Sequence, residues 1–255
     1  MTKRSPSTPA LLLSLLFLCL PNHLGATSHY LVRNKDGVWL VSDTLVGNYS
    51  SPGSRPELIH ECKVGLRKGS MTFARGYFRE IQPLLDELNT LSVSDLYSFE
   101  MMNSVSGVLL KYALVKRGDD LNNASWQAGI IAVKDETFAA EFYRLHNAQG
   151  PQRKEPRISP LGVPDGLGVL ADKFQDAANA DDEYRNKIEK NPKEELIKIL
   201  EEEAKAAPQV VGGPYTVFLL HSDGTISDYS EKKYCEIPKD AAYQEKMQPE
   251  PKNHN

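Results

Sequence analysis

The segment Thr27-Ser-His-Tyr-Leu-Val-Arg-Asn-Lys-Asp-Gly-Val-Trp-Leu-Val-Ser-Asp43 contains two apolar runs separated by a turn sequence. The runs Tyr30–Asn34 and Val38–Asp43 have the composition of β-strands, and Lys35-Asp-Gly37 between them is a hairpin turn signal. Both runs are apolar on both faces, which is typical of strands that are covered from each side. The segment therefore predicts a buried β-hairpin.

The position of the turn determines which residue lies opposite the start of the hairpin. A two-residue turn at Lys35-Asp36 places Asp43 opposite Ser28, whereas a turn one residue later places it opposite Tyr30. In either register Asp43 lies on the neighbouring strand, within one or two residues of Thr27. A carboxylate there can orient an ammonium group or a lysine; the alternative is a turn residue at the end of a strand.

The rest of the chain alternates strand and helix patterns. Two further hairpins are predicted: Cys62–Arg67 with Met71–Ala74, and Tyr215–His221 with Thr225–Tyr229. Two more strands are predicted over Trp126–Lys134 and Thr137–Leu145. Helical patterns cover about Tyr77–Leu88, Ser94–Lys116 and Asp181–Ala206. The charge run within Lys193–Ala206 predicts a solvated outer face. Gly150–Gly168 is predicted to be a long irregular loop. This order predicts an α+β fold, a four-layer αββα sandwich of two stacked, mainly antiparallel sheets.

A segment with the layout of a secretory signal peptide precedes the hairpin. Two cations lie ahead of an apolar core, Ala10–Leu20, which is too short to span a bilayer permanently, and the small residue Ala26 follows. Cleavage after Ala26 removes residues 1–26 and leaves Thr27 as the first residue, whereas cleavage after Ser28 discards the threonine. We expect export to the periplasm or the extracellular space.

Composition and charge limit the class of protein and the partners that the chain can have. The net charge is −4 with both signs interspersed, and no basic stripe interleaved with aromatic residues suggests a nucleic-acid surface. No second apolar stretch has transmembrane length, so we expect no membrane association after leader removal. Residues 27–237 suit one domain, and the polar, proline-bearing residues 238–255 predict a disordered tail. We expect no cofactor and no metal; the oligomeric state stays open.

Two of the three cysteines lie in the mature chain. Cys19 belongs to the leader, which leaves Cys62 and Cys235. An even pair in an exported protein predicts one disulfide, and the alternative is two buried thiols.

The hairpin segment resembles the start of proteasome β-type subunits, which are N-terminal-nucleophile (Ntn) hydrolases with an αββα sandwich fold. The spacing from Thr27 through Gly37 to Asp43 matches that family's nucleophilic threonine, hairpin glycine and first aspartate without a gap. Cys62-Lys-Val64 resembles the strand that carries the active-site lysine. Phe73-Ala-Arg-Gly76 resembles the segment whose glycine amide contributes to the oxyanion hole.

The resemblance implies an N-terminal threonine hydrolase that acts on a peptide or small amide substrate. The Thr27 hydroxyl would attack a carbonyl, and its own α-amine would take the proton. Lys63 would lower the proton affinity of both groups, and Asp43 would hold Lys63 in place. The Gly76 amide would bind the oxyanion.

Two stretches depart from the family's pattern. Pro208-Gln-Val-Val211 stands where active members have Asp-x-x-Ser before paired glycines, here Gly212-Gly213, and Gly166-Leu-Gly168 stands where they have Gly-Ser-Gly. The family's rings also assemble inside cells, whereas this chain carries an export leader. Two functions therefore stay open: an exported threonine-type amidohydrolase or peptidase, and a catalytically silent sandwich that binds a ligand or partner.

Overall fold

The computed structural model describes residues 27–48, 57–75, 85, 87, 125–146, 151–153, 158–208 and 211–243. In chain order its strands are β1 (His29–Asn34), β2 (Gly37–Ser42), β3 (Leu45–Asn48), β4 (Glu57–His60), β5 (Val64–Arg67), β6 (Ser70–Arg75), β7 (Ser125–Lys134), β8 (Thr137–His146), β9 (Pro151–Arg153), β10 (Asp165–Leu167), β11 (Thr216–Leu220) and β12 (Ile226–Asp228). Its helices are α1 (Ala171–Ala180), α2 (Asp182–Lys190) and α3 (Pro192–Ala206). Within these residues no helix combines the length and apolarity that crossing a bilayer requires.

The strands form two five-stranded sheets and a two-stranded ribbon. The first sheet has the order β10-β1-β2-β11-β12, the second has the order β5-β6-β7-β8-β9, and β3 pairs with β4. Neighbouring strands run antiparallel throughout. The predicted fold class, with stacked antiparallel sheets, is confirmed. The helices expected over Tyr77–Leu88 and Ser94–Lys116 lie outside the described residues, except for Leu85 and Glu87.

The first sheet is buried on both faces. One face packs against the second sheet through a shared apolar core that includes Leu31, Val38, Leu40, Met71, Phe73, Ile131 and Phe218. The opposite face packs against the helices through a second core that includes Tyr30, Val32, Val41, Phe174, Ile188, Leu196 and Leu200. Every residue of β2 is buried, as its two-sided apolar pattern predicts.

The first hairpin adopts one of the two predicted registers. Asn34 pairs with Gly37, so that Lys35-Asp36 is the two-residue turn. A Cβ at Gly37, where φ is +147°, would lie 2.2 Å from a backbone oxygen of β11, so the turn requires glycine. The same register continues beyond β1, where the Asp43 N–H donates to the Ser28 carbonyl oxygen at 3.1 Å.

Two predictions about irregular segments were wrong in part. The expected loop Gly150–Gly168 contains β9 and β10, and β10 adds to the edge of β1. The expected tail begins too early, because the Ile226 N–H donates to the Ala241 carbonyl oxygen at 2.7 Å and Ala241 is buried. Strands of three residues carry too short an alternation to be recognised from sequence. Residues 244–255 lie outside the described part.

The helical stretch predicted over Asp181–Ala206 is two helices, preceded by the unpredicted α1. Asp181 caps α2, because its Oδ1 accepts the N–H groups of Glu183 and Tyr184 at 2.9 and 3.2 Å. Pro192 occupies the first turn of α3, where its missing N–H is not needed.

Cys62 and Cys235 form a disulfide that joins the residue before Lys63 to the segment after β12. Their Cα atoms are 5.0 Å apart, and the two residues are separated by 173 positions in the chain. Because the closed loop is long, the chain-entropy account gives a stabilisation of about 5 kcal/mol.

We therefore expect reduction to shift the denaturant midpoint of the protein strongly downward. The measurement is a guanidinium titration with and without a thiol reductant. A Cys62→Ala/Cys235→Ala variant is the control, since its midpoint should be low and insensitive to reductant. An equal midpoint for the oxidised and the reduced wild type would refute the expectation.

Candidate active site

Asp43 and Lys63, both predicted from the sequence, meet at the end of the first hairpin. Asp43 follows β2 and Lys63 precedes β5, so the pair joins the two sheets. The Lys63 Nζ donates to Asp43 Oδ2 at 2.8 Å and also to the Leu45 carbonyl oxygen, and both side chains of the ion pair are 0% exposed. Asp43 Oδ1 accepts the Ser28 N–H at 2.7 Å. Asp43 therefore links Lys63 to the backbone next to Thr27.

Burial perturbs both members of this pair. It raises the pKa of Asp43 to about 6, against the opposing effects of the Lys63 charge and the Ser28 N–H. It lowers the pKa of Lys63, against the opposing effect of Asp43. A buried ion pair is a weak source of stability and costs desolvation, and a buried pair with perturbed pKa values marks a candidate functional site.

Thr27 is completely buried, and its Oγ1 has no hydrogen-bond partner among the described residues. Neighbouring side chains of an extended segment point to opposite faces. The Ser28 side chain contacts the helical layer, whereas His29 Nε2 lies 3.0 Å from the Ala74 carbonyl oxygen of the second sheet. Continued to Thr27, this alternation predicts that its side chain lies on the side of His29, toward the sheet that supplies Lys63.

An unpaired buried hydroxyl costs about 1–3 kcal/mol of desolvation, and each such group in a folded protein needs a specific reason. One such reason is a role as a nucleophile, which requires a hydroxyl that is free to react with a carbonyl.

His29 is a buried residue of this region that sequence reasoning did not single out. Its ring centroid lies 5.0 Å from that of Phe73, and its Nδ1 has no partner within the described part of the chain. Burial lowers the pKa of His29 to about 3, opposed by the hydrogen bond to Ala74. The imidazole therefore stays neutral at physiological pH and adds no charge beside Lys63.

Glu203 of α3 is a second buried carboxyl group at the site. It is 0% exposed and accepts three hydrogen bonds. Ser28 Oγ donates to its Oε1 at 2.6 Å, the Val169 N–H donates to Oε1 at 2.9 Å, and the Tyr30 hydroxyl donates to Oε2. Burial and Glu203 together raise the pKa of Tyr30, so its hydroxyl remains a donor.

The prediction that the charge run of α3 forms a solvated outer face was wrong for Glu195 and Glu203, which are both buried. The sequence did contain a signal, because Glu203 follows Ile199 by four residues and Leu200 by three and so lies on the apolar stripe. A charge run and a buried position are compatible when the other members of the run face water.

The remaining predicted positions are apolar or lie outside the described residues. Leu167 and Val211, which stand where the resemblance predicts polar groups, are both buried. Gly76, the expected oxyanion donor, lies outside the described part. In that part no group of three or more His, Cys, Asp or Glu residues is arranged to hold a metal ion.

The two stacked antiparallel sheets give the chain a fold that is similar to the proteasome-like Ntn fold of solved structures. A solved structure of Anbu (ancestral beta-subunit) from Yersinia bercovieri is similar to the chain, with a TM-score of 0.52 at 10% identity over 80% of this chain and 87% of that one. An Anbu (Gly-1) mutant from Hyphomicrobium sp. strain MC1 gives a TM-score of 0.49 at 10% identity, with the same coverage of 80% and 87%. No family model matches the chain. No curated protein matches it either. At this identity the likeness concerns the fold alone.

Proposed function

We propose that the chain is an exported threonine-type amidohydrolase or peptidase whose nucleophile is the Thr27 hydroxyl, activated once cleavage after Ala26 frees the α-amine. One observation carries the proposal: the buried carboxylate of Asp43 joins the Lys63 ammonium to the backbone beside a buried, unpaired Thr27 hydroxyl. The Cys62–Cys235 disulfide supports an oxidising compartment, because such bonds persist mainly in exported proteins.

The proposed reaction begins with attack by Thr27 Oγ1 on the carbonyl carbon of a peptide or small amide. The Oγ1–C bond forms while the hydroxyl proton moves to the α-amine, directly or through a water molecule. The tetrahedral oxyanion then collapses, the C–N bond breaks, and the amine returns the proton to the leaving nitrogen. Water hydrolyses the resulting ester and regenerates Thr27.

The other residues act on this proton transfer. Lys63 lowers the proton affinity of the amine through its positive charge, and Asp43 holds Lys63 and the adjacent backbone in place. While residue 26 is still attached, the nitrogen of Thr27 is an amide and has no basic lone pair. The uncleaved chain is therefore inactive in this scheme.

We expect a slow enzyme. The side chains of Leu167 and Val211 are apolar and supply no hydrogen bond at the positions where the resemblance predicts polar support. We assign the oxyanion to the Gly76 amide, a kind of donor whose loss typically costs about 2.7–4 kcal/mol of transition-state stabilisation.

A β-lactone probe tests the proposal directly, because ring opening by the nucleophile leaves a stable ester. The secreted protein is incubated with the probe, digested, and its peptides mapped by mass spectrometry. We expect one adduct, on the peptide that begins with Thr27, and no adduct after heat denaturation. The absence of any adduct on a chain with a verified Thr27 terminus would favour the silent binding protein instead.

The pH dependence of labelling follows from two groups. The α-amine must be neutral, and its reference pKa is about 7.7–8.0; Asp43, whose pKa burial raises to about 6, must be ionised. Both requirements fail as the pH falls. We expect the labelling rate to be about a hundredfold or more lower at pH 5 than at pH 8, with circular dichroism as the control for folding. A rate that stays constant or falls from pH 5 to 8 would be incompatible with an amine base.

A further inference from the structure

Ser28, the residue after the proposed nucleophile, is held by three hydrogen bonds. Its N–H donates to Asp43 Oδ1 at 2.7 Å, and its carbonyl oxygen accepts the Asp43 N–H at 3.1 Å. Its hydroxyl donates to Glu203 Oε1 at 2.6 Å. Two of these bonds come from the neighbouring strand and the third comes from the helical layer. Together they fix the backbone from which Thr27 extends.

Space for the Glu203 carboxyl group is built into the surrounding backbone. A Cβ at position 168 would lie 2.1 Å from the Tyr30 hydroxyl oxygen and 2.5 Å from Glu203 Oε2, so Gly168 is required for their approach. The next residue, Val169, donates its N–H to Glu203 Oε1. Glu203 therefore bonds two alternate residues at the start of the first hairpin, together with the segment that follows β10.

The chemistry of Glu203 differs from that of a structural ion pair. Within the described chain, neither lysine nor arginine forms an ion pair with it, and all three of its bonds are to uncharged donors. Glu195, the other buried carboxyl group of α3, instead pairs with Lys187 at 3.2 Å and Lys198 at 2.6 Å. Burying a carboxyl group costs desolvation free energy that an apolar residue at the same position would not. Its presence here therefore calls for a role beyond stability.

We propose that Glu203 is a positioning residue for the Thr27 nucleophile. Acting through Ser28, it supplies from the helical layer the polar support that Leu167 and Val211 do not provide. The inference rests on the proposed function of Thr27. Small displacements of a reacting group have large kinetic effects, so a bond one residue from the nucleophile influences rate more than affinity.

The test compares Glu203→Gln and Ser28→Ala with the matched control Glu195→Gln, which alters a buried carboxyl group of the same helix away from the site. The activity-independent measurement is amide hydrogen exchange of the Ser28 N–H in the mature protein. We expect exchange about tenfold faster in Glu203→Gln and in Ser28→Ala, the factor for one ordinary hydrogen bond, and no change in Glu195→Gln. If Glu203→Gln fails to fold, Ser28→Ala removes the same bond from the strand side.

The second measurement is β-lactone labelling as a function of probe concentration. Glu203→Gln should lower the maximal labelling rate about tenfold or more while the half-saturating concentration changes less than about twofold. Unchanged Ser28 exchange in both site variants, or equal effects in Glu195→Gln, would overturn the positioning role even if the wild type is labelled. Faster exchange without labelling of the wild type would support the positioning of residue 27 and overturn the enzymatic function alone.

Discussion

Thr27→Ala should abolish β-lactone labelling of the secreted protein. The alanine variant keeps the free α-amine and the Asp43–Lys63 pair but has no oxygen that can form the acyl bond. The measurement is the intact mass of the protein after incubation with the probe. A mass increase equal to that of the wild type would show that another residue is the nucleophile.

The same variant should remain folded. Thr27 Oγ1 has no hydrogen-bond partner within the described residues, so its removal breaks no bond and also removes an unsatisfied polar atom. The loss of one buried methyl group costs about 1 kcal/mol. Thr27→Ser is the matched control, because it keeps the hydroxyl and should still be labelled. Mature N-termini of both variants must be verified by mass, since the substitutions lie beside the cleavage site.

Lys63→Met should also remove labelling, and it should destabilise the protein. Methionine fills a similar volume but leaves Asp43 buried without its ammonium partner, and breaking a buried pair in this way typically costs about 3–5 kcal/mol. The loss should shrink at pH 5, because burial already raises the pKa of Asp43 to about 6 and protonation removes the unpaired charge. Denaturant unfolding at pH 5 and pH 7.5 measures both effects.

The double variant Lys63→Met/Asp43→Asn separates the two consequences. Asparagine carries no charge and its side-chain oxygen still accepts the Ser28 N–H, so the double variant should regain most of the stability lost in Lys63→Met. It should remain unlabelled, because the cation beside the amine is still missing. Restored labelling in the double variant would remove Lys63 from the proposed mechanism.

The first hairpin, formed by β1 and β2, was predictable because its sequence signals are local. A period of two, a glycine turn and apolar residues on both faces identify β1 and β2 without knowledge of their partners. The same pattern restricts Asp43 to two registers, and the structure has the one that faces Ser28. The Cys62–Cys235 pairing was predicted from a leader-like segment and the two cysteines that follow it.

The rest of the site depends on long-range packing that sequence patterns do not encode. Strand β10 has only three residues and owes its conformation to the edge of β1. Glu203 lies 175 residues from its partner Ser28, and its position in a charged run concealed its place on the apolar stripe of α3. Its burial depends on Gly168, whose missing side chain makes room for the carboxyl group.

The intact mass of the mature protein identifies its first residue and thereby tests the proposed nucleophile directly. We expect a mature chain that begins with Thr27, and hence an α-amine on the same residue as the buried hydroxyl. A chain that begins with His29, or one that retains residues before Thr27, would exclude Thr27 as the nucleophile, since neither has a threonine with a free amine.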